Sequence, residues 1–123
     1  MTARLLGLSL AIALVAAPAF AQDGRAVFEQ RCASCHSVAE GAAPMAGPNL
    51  RGVIGRRVAG DAGFDYSPAL ERAGERGDMW DAARLMRFLQ DPEEMYPGLW
   101  MGANGVREEA ERRAVAAFLE GAK

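Results

Sequence analysis

Histidine and cysteine are nearly absent from this sequence: His36 is the only imidazole, and Cys32 and Cys35 are the only thiols, in 123 residues. Three such residues cannot supply the four Cys or His ligands of a structural zinc site, which excludes one. Lysine is as scarce, since Lys123 is the single example and the other basic side chains, of 14 in all, are arginines. With 16 acidic side chains against them there is no basic excess, so the electrostatic footprint of a nucleic-acid-binding protein is missing. Apolar runs of spanning length are lacking too: Leu5 to Val15 falls short of the ~20 residues a membrane helix needs. No run reads as a strand, no segment repeats and no tract is of low complexity. A thioredoxin-like thiol pair wants a βαβ context, so that reading is left without its scaffold.

What is present is the pentapeptide Cys32-Ala33-Ser34-Cys35-His36. Two thiols held three positions apart can each add to a vinyl group of one haem, and the histidine after them is placed to reach the iron. Cys-x-x-Cys-His is therefore read as a c-type haem attachment site. Upstream, Arg4 precedes the apolar run Leu5 to Val15, and Ala19-Phe20-Ala21 offers small residues where a signal peptidase reads. The expected division is a signal peptide over 1–21 and one domain over 22–123, with cleavage before Gln22, release to the periplasm and no stable membrane insertion afterwards. Removing 21 of 123 residues leaves 102, a small domain that buries only ~60–70% of its unfolded surface. A large apolar cofactor would supply core that such a chain lacks.

The order of elements is helical. Asp23 to Cys32 reads as a first helix capped by Asp23, with Val27, Phe28 and Arg31 at helical spacing. From Val38 to Gly63 the chain is rich in Gly and Pro without a sustained period, a loop long enough to need something to wrap. Ser67-Pro68 opens a short helix that ends near Gly74 or Gly77. Asp81 to Gln90 is the next, with Leu85, Phe88 and Leu89 on one face and Pro92 as its stop. Glu93 to Tyr96 adds one turn. Pro97 to Gly105 is turn chemistry, and Arg107 to Glu120 forms the last helix, with Ala110, Ala114, Val115, Phe118 and Leu119 directed inward.

If haem is bound, His36 is the proximal ligand and the second axial ligand is not histidine. A thioether is the remaining candidate, a pairing with histidine that raises the reduction potential. Met101 stands in a glycine-rich loop where the chain can approach an iron, and Met95 is the second choice. Buried haem propionates need donors or counter-charge. Arg56, Tyr66 and Trp80 offer a guanidinium, a hydroxyl and an indole N–H.

Taken together these motifs resemble class I c-type cytochromes, of the mitochondrial cytochrome c and bacterial c2 kind, over the whole of 22–123. The resemblance rests on Gly24 and Phe28, on the Cys32, Cys35 and His36 motif, on Gly47-Pro48-Asn49-Leu50, on Gly55-Arg56, on Gly63-Phe64-Asp65-Tyr66, on Trp80, and on Pro97-Gly98 followed by Met101. It implies that Gly24 and Phe28 pack the first helix on the last, and that the Pro48 carbonyl accepts a hydrogen bond from the proximal imidazole. It implies that Arg56, Tyr66 and Trp80 face the propionates, and it favours Met101 over Met95 as the ligand. Leu99 and Trp100 stand where relatives carry a threonine and a lysine, and Phe88 where many carry a tyrosine. The lysine ring through which relatives meet partners is replaced by Met45, Glu93, Glu94 and Trp100.

The expectation is an all-α small cytochrome c fold, with crossed N- and C-terminal helices and long loops wrapping one covalently bound haem c. The implied activity is one-electron transfer by a soluble monomer between membrane-bound or soluble redox proteins, with no enzymatic turnover. The alternative is a haem enzyme, or a gas or peroxide sensor, with an opened sixth coordination position. A third reading is an exported binding module without cofactor.

Overall fold

The computed structural model describes residues 23–102 and 105–123; the expected leader and its cleavage point lie outside them. Five helices follow in order: α1 (Gly24–Arg31), α2 (Pro68–Glu75), α3 (Ala82–Gln90), α4 (Pro92–Met95) and α5 (Glu109–Gly121). Each of the first four starts where a short polar side chain can satisfy orphan backbone donors. Asp23 accepts from the Arg25 amide at 3.0 Å, Asp81 from Arg84 at 2.7 Å, and Asp91 from Glu94 at 3.0 Å. Ser67 accepts from Leu70 at 3.4 Å ahead of Pro68, whose fixed φ suits the first helical position. Helix α5 begins without such a cap, at Glu108.

The frame is the crossing of α1 and α5. Gly24 lies so close to α5 that a Cβ there would fall 2.2 Å from the Ala114 carbonyl oxygen and 2.7 Å from Phe118 Cβ. Only glycine lets the two backbones approach this far. Beside that contact Phe28 and Phe118 meet with ring centroids 5.5 Å apart, and the exposed Arg31 reaches Glu111 at 3.1 Å. Phe28, Val27, Val115, Ala116 and Leu119 are buried there. Burying each large apolar side chain contributes about 1.5–3 kcal/mol, so the helix crossing supplies much of the protein's own core.

Helix α5 differs from its expected form in two ways. It starts at Glu109 rather than Arg107, and Ala110, expected inward, is exposed. The buried stripe runs Arg112, Val115, Ala116, Leu119, with the spacing of one helical face. Ala114 and Phe118 form its shoulder toward α1, while Ala110 falls in the first turn, outside both contacts.

The long loop is tied down by backbone pairing. Gly55 and Trp80 are joined by an amide-to-carbonyl bond of 2.7 Å, Trp80 donates to the Arg56 carbonyl at 2.8 Å, and Val58 donates to Asp78 at 2.8 Å. This gives one isolated antiparallel bridge, Arg57 with Met79; among the described residues there is no longer strand. Gly74 of α2 then packs on the Val58 carbonyl, where a Cβ would fall at 2.3 Å. Thus α2 closes over the loop, and Val58 and Ala73 are sealed between them.

Candidate functional site

Helix α1 delivers the pentapeptide directly. At its end the Cys32 and Ala33 amides both donate to the Phe28 carbonyl, and the chain then coils so that the Cys32 carbonyl accepts from both Cys35 (3.0 Å) and His36 (2.9 Å). Both thiols are free and half-buried. Burial pushes the Cys32 thiol up to about 11, against the opposing Arg31 charge and with Cys35 adding to the rise. Such a thiol stays protonated at neutral pH and is a poor redox nucleophile.

His36 is fixed on two sides. Its Nδ1 lies 2.8 Å from the Pro48 carbonyl oxygen. A carbonyl can only accept, so Nδ1 carries the proton and the Nε2 lone pair is left for a ligand bond. Gly47 lies flat against the ring: a Cβ would fall 2.3 Å from Cε1 and 2.6 Å from Nδ1. Burial holds the imidazole below its ordinary pKa, the Pro48 bond opposing in part, which favours the neutral ligating form. The Gly47 amide also donates to the Cys35 carbonyl at 2.8 Å, and Leu50 to Ser37 at 2.8 Å, so the two segments share backbone bonds. Asn49 locks the turn, giving Nδ2 to the Ala39 (2.8 Å) and Ala42 (3.1 Å) carbonyls and accepting from the Arg51 amide (2.8 Å). Sequence reasoning passed over Asn49 except as part of a motif. Its bonding to a backbone amide two residues on was the available signal.

Arg56, Tyr66 and Trp80 are brought together. Arg56 donates to the Asn49 carbonyl at 2.9 Å and to Arg51 at 2.5 Å, and its own carbonyl takes the Trp80 amide. The Tyr66 hydroxyl accepts from the Asp61 amide at 3.2 Å, which leaves its proton to give elsewhere. Burial raises the Tyr66 pKa, while the Asp61 amide and the Arg56 guanidinium oppose that rise. Trp80 is buried edge-on against Phe88 (5.1 Å) and Tyr96 (6.3 Å). Tyr96, buried with its hydroxyl accepting from Arg84 at 3.1 Å, joins this aromatic wall and was not singled out by sequence.

Met101 and Met95 are both half-buried against the core. Met95 closes the single turn of α4, whereas Met101 lies in irregular backbone after Gly98, whose φ of +85° turns the chain. Gly98 donates to Glu93 at 2.9 Å and Leu99 to the Tyr96 carbonyl at 3.1 Å. Ala103 and Asn104, part of the expected turn, lie outside the described residues.

These residues fit a covalently bound haem. Two thiols stand three positions apart, the imidazole proton is held at Nδ1 so that Nε2 keeps its lone pair, and Trp80, Phe88 and Tyr96 pack together as an aromatic wall. A helical fold of this kind with that attachment turn defines a c-type haem protein. The comparisons with known proteins agree. The Cytochrome c family profile matches residues 21–123. Cytochrome c2 of Agrobacterium tumefaciens (strain II Chrys) is 38% identical over 96 residues, covering 78% of this chain and 86% of that protein. Cytochrome c-550 of Ancylobacter novellus is 37% identical over 90 residues (73% and 84%), and cytochrome c of the plant Stellaria longipes 33% over 100 residues (81% and 90%). The chain belongs to the cytochrome c family, carries one covalently bound haem c with its iron, and is an electron carrier rather than an enzyme.

Proposed function

We propose that Cys32 and Cys35 hold the haem through thioether bonds, that His36 Nε2 and the Met101 sulfur are the axial ligands, and that Arg56, Tyr66 and Trp80 meet the propionates. The observation that carries this reading is the 2.8 Å bond from His36 Nδ1 to the Pro48 carbonyl. It fixes the tautomer that leaves Nε2 as ligand and raises ligand basicity. When bound, the haem supplies the chemistry itself, its iron passing one electron between two oxidation states. The chain orients the imidazole through Pro48 and Gly47, keeps it neutral by burial, and surrounds the site with Phe88, Trp80 and Tyr96.

The test is the ferrous absorption spectrum of the purified holoprotein under carbon monoxide. A low-spin haem slow to take up the gas supports histidine and methionine ligation. Rapid uptake supports the alternative of an open sixth position, and the absence of a Soret band supports the cofactor-free module.

In this reading residues 1–21 are a signal peptide and 22–123 the mature domain, working as a soluble monomer in the periplasm with no stable membrane insertion. Two observations support the boundary and the periplasm: the family match begins at residue 21, and cytochromes c2 and c-550 are among the relatives. Sequencing the N-terminus of the exported protein tests the boundary, and Gln22 is the expected first residue.

Its partners are redox proteins, membrane-bound or soluble. Met45 is 51% and Trp100 66% exposed, and both stand where relatives carry contact lysines. Charge at a contact rim acts chiefly on association rate, so a rim without lysines steers weakly, and an exposed aromatic is a common anchor. Electron transfer to the native partner is therefore expected to vary little with ionic strength and to fall markedly in Trp100→Lys. A steep salt dependence, or full activity in that variant, contradicts this docking mode.

A further inference from the structure

Helix α5 buries a charge that electron transfer does not explain. Arg112 is only 9% exposed, and among the described residues no carboxylate pairs with it. Burying a guanidinium without a counter-charge is costly unless its protons find acceptors. Arg112 finds two consecutive backbone carbonyls: Nη1 donates to Val106 at 2.7 Å and to Arg107 at 2.6 Å. The same segment is held from its other side by α3. Val106 donates its amide to the Leu89 carbonyl at 2.6 Å, and Gly105 lies so close that a Cβ would fall 2.6 Å from the Leu89 oxygen and 2.5 Å from that of Gln90. Residues 105–107 are thus clamped between the last turn of α3 and one arginine of α5. The clamp begins four residues after Met101.

We infer that Arg112 is a positioning residue for the Met101 loop: its grip on the Val106 and Arg107 carbonyls sets how readily Met101 leaves the iron. The inference rests on the reading of Met101 as axial ligand. It differs from a merely structural role, in which Arg112 would wire the start of an uncapped helix and its loss would lower global stability alone. Opening of the loop lets an added ligand compete with the methionine, so the affinity of the ferric protein for imidazole reports the clamp. Loop amides report it without reference to any ligand.

The experiment compares holoproteins bearing Arg112→Met, Arg112→Lys and Val27→Ala, the last removing methyl groups from the α1–α5 core away from the loop. In Arg112→Met the ferric affinity for imidazole is expected to rise about tenfold, which corresponds to about 1.4 kcal/mol. Exchange of the Val106 and Arg107 amides should accelerate by a similar factor, while Val27→Ala changes both less than about twofold. Arg112→Lys keeps the charge but not the fork, and is expected to show the same changes at about threefold; it carries the test where Arg112→Met does not fold. An imidazole affinity in the Arg112 variants no higher than in Val27→Ala overturns the inference. If Met101→Ala itself keeps the methionine–iron band, the ligand assignment fails instead. The clamp is then judged on amide exchange, and equal exchange in Arg112→Met and Val27→Ala overturns it.

Discussion

The turn that carries His36 is fixed along its length, whereas the loop that carries Met101 is gripped at its two ends. On the histidine side the ring is held by Pro48 and Gly47, and backbone bonds join the two segments. Helix α1 ends into the attachment turn, Gly47 lies on the imidazole, and Pro48 takes its proton. On the methionine side, Gly98 and Leu99 are tied back to Glu93 and Tyr96, and residues 105–107 to Leu89 and Arg112, while Trp100 between them is 66% exposed. On the proposed ligation by His36 and Met101, the ligand beside the attachment turn is the more firmly held of the two.

Substitutions can break this contrast. The largest effect is expected for Gly47→Ala, whose new methyl would fall 2.3 Å from the His36 ring. Overpacking of this kind costs about 1–3 kcal/mol, and the ring cannot swing aside without losing Pro48. A lowered denaturation midpoint in the holoprotein would show it. Gly121→Ala, whose methyl meets nothing within 4 Å, should be neutral or slightly stabilising.

Tyr66→Phe should cost less, about 0.5–1.5 kcal/mol for one half-buried hydroxyl. Its pH dependence has a definite sign. The folded Tyr66 pKa is raised by burial, so the neutral phenol's contribution is fully present below the unfolded value of about 10 and lost as pH rises through the higher folded value. Wild-type stability should therefore fall more steeply than that of Tyr66→Phe above about pH 10, as followed by denaturant unfolding at each pH.

The smallest effect is expected for Trp100→Ser. An exposed side chain far from any cap or buried network changes stability by about 0.5 kcal/mol or less. Such a small shift, combined with weakened partner electron transfer, would separate docking from folding. A loss above 1 kcal/mol would instead place Trp100 in the fold.

Much of the histidine side was legible because its determinants are contiguous. The caps at Asp23 and Ser67 and the stop at Pro92 are local signals, and each stands in the structure as read, while the close approach at Gly24 was implied by the family resemblance. The methionine side was legible only as a loop. Arg112 was not singled out, although its spacing with Val115, Ala116 and Leu119 marks the buried stripe. Ala110 was placed inward by its spacing from Ala114, but it lies exposed in the first turn of α5. The pairing of Gly55 to Val58 with Asp78 to Trp80 joins segments about twenty residues apart, and no local pattern encodes it.

The ferric spectrum of two methionine variants tests the central assignment most directly. Met101→Ala is predicted to lose the methionine–iron band near the red end of the spectrum and to become high-spin or ligand-exchanged, while Met95→Ala keeps the band almost unchanged. Loss of that band in Met95→Ala, with its retention in Met101→Ala, would contradict the account.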